Sequence, residues 1–114
     1  MKKIAILSFS IFLISSCEIQ KPLYSWGKYE AASYSYLKKN DENATQKLIE
    51  SYEKIINKQN GSRGVVPPGI YADYGFLLIQ TNKIDQGKVM LEKEIALYPE
   101  SKIFIDRILK LTQK

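Results

Sequence analysis

The 114-residue chain contains no histidine and a single cysteine, Cys17. The missing imidazole removes the commonest general base and metal ligand. One thiol excludes an internal disulfide, so packing alone must hold the fold. No apolar run is long enough for a membrane span, which takes roughly 20 residues. No stretch alternates apolar and polar side chains as a half-buried strand does, which leaves an all-α chain. Glycine and proline are sparse, and half of the six glycines and half of the four prolines fall between residues 61 and 69, so irregular backbone is concentrated there. Neither charge dominates: 17 basic residues face 12 acidic ones, a net +5. Both signs are mixed along every segment after residue 27, which offers no patch for nucleic acid.

Catalytic constellations are equally scarce. Glu92 and Glu94 stand two apart on a helix and face different directions. Asp73 and Asp85 are expected to be solvated. Gly61-Ser62-Arg63-Gly64 lacks the lysine and the preceding strand of a phosphate loop. The expectation is no enzyme, no cofactor and no metal.

What is present begins at the N-terminus. Met1-Lys2-Lys3 precedes an apolar run from Ile4 to Ile14, which ends in the small pair Ser15-Ser16 directly before Cys17. A basic start, a run of ~7–15 apolar residues and a small-residue exit describe a cleavable signal. The tetrad Ile14-Ser15-Ser16-Cys17 resembles the bacterial lipobox, in which the thiol receives a diacylglycerol and the peptidase cuts just before it. The resemblance implies acyl chains, palmitate among them, on Cys17, and several chains anchor where one is marginal. Glu18 stands where Asp tends to retain Gram-negative lipoproteins in the inner membrane. By that resemblance the protein is expected at the outer membrane, facing the periplasm.

Cleavage before Cys17 takes 16 of 114 residues and leaves 98, and loss of Lys2 and Lys3 lowers the charge from +5 to +3. That length suits one small core. The expected organisation is a signal at 1–16, a lipidated tether at 17–23 and a helical domain at 24–114. Helix one is expected at about Ser25 to Lys39, with Tyr29, Ala32, Ser33, Tyr36 and Leu37 on its inner face. Asn40-Asp41 breaks it. Helix two, about Glu42 to Lys58, carries the cleanest stripe: Thr45, Leu48, Ile49, Tyr52, Ile55 and Ile56. A loop follows, and helix three opens on proline at about Pro68 and runs to Thr81. Helix four spans about Ile84 to Tyr98, where Pro99 stops it. Helix five starts near Ser101, read as its N-cap.

Residues 68–101 make a 34-residue segment that resembles the tetratricopeptide repeat. Tyr71, Tyr74, Gly75 and Leu78 occupy its first-helix positions, Gly87 and Leu91 its second-helix positions, and Pro99 its closing proline. Each helical glycine costs ~1 kcal/mol relative to alanine, so Gly75 and Gly87 point to helices that approach closely. Glu94 departs from the pattern, standing where a small residue is usual. Residues 25–58 look like a degenerate copy. The resemblance implies about five helices in antiparallel, TPR-like pairs, and either helix five or another protein covers the end of the stack.

The lipobox, the opening Tyr24-Ser25-Trp26-Gly27-Lys28-Tyr29-Glu30 and the segment Pro67 to Gly75 are together similar to a family of small bacterial lipoproteins of uncharacterised function. Its members carry a TPR-like domain and tend to be encoded beside a lipoprotein resembling the curli secretion subunit CsgG. The resemblance implies a protein-binding accessory or assembly factor at the envelope, whose partner is another lipoprotein. In such pairs the first helices line the concave surface, which makes Trp26, Tyr29, Tyr34, Asp73, Phe76 and Leu77 the candidate contacts. The alternative is a structural lipoprotein that touches lipid or peptidoglycan, with Lys102, Arg107, Lys110 and Lys114 facing anionic groups.

Overall fold

The computed structural model describes residues 17–113. The signal segment, including Ile14, Ser15 and Ser16, and the terminal Lys114 lie outside the described residues. Every regular element of the described chain is helical: α1 Tyr29–Lys39, α2 Glu42–Asn57, α3 Ile70–Gln80, α4 Ile84–Leu97, a 3-10 turn Pro99–Ser101, and α5 Lys102–Thr112. The first four helices form two hairpins, α1 on α2 and α3 on α4. α2 joins them through α3, and α5 packs across α3 and α4.

Local chemistry sets the boundaries. α1 starts at Tyr29, four residues later than expected, because Gly27 adopts a positive φ of 53° that a helix cannot contain. It ends at Asn40, whose left-handed backbone (φ 48°) lets its amide bond to the Tyr36 carbonyl. The Asp41 side chain then accepts from the Ala44 amide at 2.7 Å and caps α2. α3 opens at Ile70 rather than Pro68, since Gly69 sits at φ 91°. α5 starts at Lys102 with Ser101 at its N-cap position, as expected, although the Ser101 side chain makes no capping bond; Pro99 ends α4 and restarts the chain as a tighter turn that Ser101 closes.

Two apolar clusters make the core. One gathers Leu48, Tyr52 and Ile55 of α2 with Ile70, Tyr74, Leu77 and Leu78 of α3. The other gathers Ala72 and Ile79 with Leu91 and Ile105, which is fully buried. Of the face expected on α1, Tyr29, Ala32, Ser33 and Tyr36 are half-buried, but Leu37 is 77 % exposed. It lies at the last turn of α1, past the edge of the hairpin contact.

The α3–α4 pair is locked where its glycines meet. A Cβ on Gly75 would stand 2.7 Å from the Gly87 carbonyl oxygen, and one on Gly87 would stand 2.5 Å from the Gly75 oxygen. Tyr74, Leu78 and Leu91 are buried around that crossing and Tyr71 is half-buried beside it.

Candidate functional site

The surface shared by α1 and α3 collects most of the candidate contact residues. The Tyr29 hydroxyl donates to Asp73 Oδ2 at 2.8 Å and ties the first helix of one hairpin to the first helix of the next. Trp26 leans on Tyr29 with ring centroids 6.0 Å apart, and its side is 43 % exposed. Phe76, 40 % exposed, lies one turn beyond Asp73 on the same side of α3. Trp26, Tyr29, Asp73 and Phe76 therefore form one ridge that presents two aromatic side chains to solvent.

Two candidates stand apart from it. Tyr34 is 65 % exposed, but five residues beyond Tyr29 it faces away from the α3 side, with the Lys38 ammonium 5.9 Å from its ring centroid. Leu77 is not a surface contact: at 4 % exposure it belongs to the α2–α3 core, because α3 is buried on more than half of its circumference.

Below the ridge the rings continue inward. Tyr24 meets Trp26 at 6.4 Å, Tyr29 meets Tyr52 at 5.5 Å, and Tyr52 stacks on Tyr74 at 5.3 Å. Burial raises the pKa of Tyr52, and the Asp73 charge raises it further. Burial and then the Asp73 hydrogen bond raise that of Tyr29. Tyr74 is pushed up to about 12, first by burial and then by the bond its hydroxyl donates to Glu53 Oε1 at 3.0 Å. All three phenols are held neutral and serve as donors.

The tether is fastened to the loop between the hairpins. Ser62 N donates to Pro22 O at 2.9 Å, Arg63 N to Leu23 O at 3.1 Å, and the Gln59 amide bonds both ways with the Ser25 backbone. A Cβ on Gly61 would stand 2.3 Å from the Leu23 oxygen, so only glycine lets the segments meet there. The free chain from Cys17, which is exposed, therefore ends at about Lys21 and leads directly to the aromatic ridge.

Glu94 is the residue whose role the sequence did not disclose. It is 1 % exposed, and its carboxylate accepts from Gly69 N at 2.7 Å and Ala72 N at 3.3 Å at the amino end of α3. A negative group there satisfies amides that no helical carbonyl reaches and meets the positive end of the helix dipole. Its one visible signal is an acid in a position that the repeat pattern fills with a small residue. Nearby, the Tyr98 hydroxyl donates to Val66 O at 2.6 Å, and burial followed by a hydrogen bond with Tyr24 pushes its pKa up to about 12.

A concavity of about 860 Å³ lies between α1 and α2, with Ala31, Ala32, Ser35 and Ser51 along its walls. No stripe of large apolar residues marks it, since its α1 wall is built from Ala31, Ala32 and Ser35 and its α2 wall is largely charged. Among the described residues no group of histidine, cysteine, aspartate or glutamate could hold a metal ion, and no helix is long and apolar enough to cross a membrane.

Residues 23–108 match a family described as a domain of unknown function, DUF4810, and the chain belongs to it. No curated protein and no solved structure matches the chain.

Proposed function

We propose that this protein is a non-enzymatic interaction module, anchored at the outer membrane through acyl chains on Cys17, that docks on another envelope lipoprotein as an accessory or assembly factor. A CsgG-like lipoprotein is the partner the sequence resemblance implies. The observation that carries the proposal is the ridge of Trp26, Tyr29, Asp73 and Phe76. Two large aromatics stay exposed on either side of a hydrogen bond that links the two hairpins. Exposed, rigidly backed aromatic side chains are what protein interfaces use as anchors. The TPR-like reading of the two hairpins places first helices at the binding surface, and α1 and α3 supply the ridge. The short free tether would hold that ridge close to the membrane.

The test is recovery of the tagged protein from its own cells after brief crosslinking in mild detergent, with partners identified by mass spectrometry. A stoichiometric envelope lipoprotein should be recovered, and the Trp26→Ala/Phe76→Ala variant should lower its yield about tenfold or more, as loss of an interface anchor does. Recovery of the same abundant membrane proteins from both samples would favour a structural lipoprotein with no dedicated partner.

A further inference from the structure

The concavity between α1 and α2 is separate from the aromatic ridge. Lys28, at the N-cap of α1, and Ala31, Ala32 and Ser35 on it recur at three- and four-residue steps, on the next face round from Tyr29 and Tyr36. Lys47 and Lys54 on α2 and Lys58 at its C-cap lie along one edge, with Glu50 between the first two. From residue 47 to residue 58 that edge is ~17 Å long, room for about three turns of a helix. The floor is shallow in side-chain volume, with Gly27, Ala31, Ala32 and Ser51 allowing a backbone to approach.

Charge selects the occupant. Four lysines line the groove against two glutamates, Glu50 and Glu53, and Glu53 is already engaged by the Tyr74 hydroxyl. The ion pair among the described residues is Lys102 with Asp106 on α5, so no carboxylate among them lies within ion-pair distance of a groove lysine. A second copy fits poorly. The other open end of the stack, α5, exposes Ile103, Phe104 and Leu111 on one face, but that face carries Arg107 and is flanked by Lys110. Two basic ends repel head-to-tail stacking. A bilayer surface cannot enter a concave channel between two helices, whereas a helix can.

We infer that this groove is the docking site for an acidic amphipathic helix of about three turns, presented by a partner protein, with its acids on the Lys47–Lys54–Lys58 edge and its apolar face on the alanine and serine walls. The inference rests on the adaptor reading above, and adds a second contact with a defined chemistry.

A photo-crosslinking amino acid at Ala31 or Ser35 of the full-length protein in its own cells, with Phe76 labelled in parallel, tests it. Groove adducts should map to a partner segment with apolar residues at three- and four-residue spacing and Asp or Glu beside them. Lys47→Glu/Lys54→Glu should cut the groove adducts about tenfold, the scale of several lost exposed charge pairs. Exchanging the partner's acids for lysine should restore them. Lys47→Gln/Lys54→Gln, which removes charge without adding any, should give a smaller loss at unchanged helix content. A dimer of this chain, a phospholipid adduct, a partner segment without acids, or adducts at Phe76 alone would overturn the groove assignment. The last of these would leave the adaptor reading standing, and no protein adduct at any of the three positions would overturn both.

Discussion

At the scale of single residues, a few polar groups are held where substitution has a calculable sign. Glu94 is buried and bonded to two amides at the head of α3. Glu94→Ala would leave those donors unpaired inside the protein, at a cost of about 3 kcal/mol. Glu94→Gln keeps one acceptor oxygen and should cost about half of that. Urea denaturation of the two variants measures the difference, and equal losses would contradict a bonding role for the carboxylate. The glycine crossing gives a second prediction. Gly75→Ala and Gly87→Ala each gain ~1 kcal/mol of helix propensity, yet each Cβ would meet a carbonyl oxygen of the other helix at 2.7 or 2.5 Å. Overpacking of this kind costs about 1–3 kcal/mol, so both variants should melt below the parent.

The phenols set a pH window. Tyr74 and Tyr98 titrate at about 12 in the folded protein, against about 10 in an unfolded chain. Burial disfavours the phenolate, so their contribution is fully present below pH 10 and is lost as the pH rises toward 12. The urea midpoint should fall across that interval, with phenolate absorbance delayed relative to the unfolded chain. A midpoint that stays flat from pH 9 to about 12 would contradict the assignment.

At the scale of elements, the helices were legible because their stripes recur at three and four residues and their ends carry Asn40-Asp41, Gly69 and Pro99. The errors lie at the starts of α1 and α3 and have one cause: Gly27 and Gly69 adopt left-handed backbone that composition alone does not reveal. α5 begins directly after Ser101 as its spacing implied, while the 3-10 turn Pro99–Ser101 that precedes it leaves no pattern of its own. Leu77 was misplaced for a different reason. α3 meets both α2 and α4, so a residue outside its main stripe is still enclosed. The pairing of tether and loop was invisible because it joins residues 22–25 to 59–63 through backbone groups, which leave no side-chain pattern. Gly61→Ala should break that pairing, and hydrogen exchange at the Ser62 and Arg63 amides should quicken while α3 and α4 stay protected. Unchanged exchange would mean that the tether does not depend on the close approach at Gly61.

At the scale of the whole molecule, two hairpins and a final helix leave open surfaces: the aromatic ridge, the lysine-edged groove and the outer face of α5. Exposed apolar patches on a small protein mark interaction surfaces. Those surfaces are where the proposed partner would dock, and the proposed anchor at Cys17 is tested separately. Cys17→Ala should leave the signal uncut and the protein without acyl chains, and palmitate labelling of that variant would contradict lipidation there.

If this protein works, as proposed, in a complex with another envelope protein, the mass of the assembly in its own membrane will show it. After brief crosslinking and extraction in mild detergent, the account predicts a discrete species that contains this chain and a second envelope protein in fixed ratio, reduced to the single chain by Trp26→Ala/Phe76→Ala. A lone monomer, or an oligomer of this chain only, would contradict it.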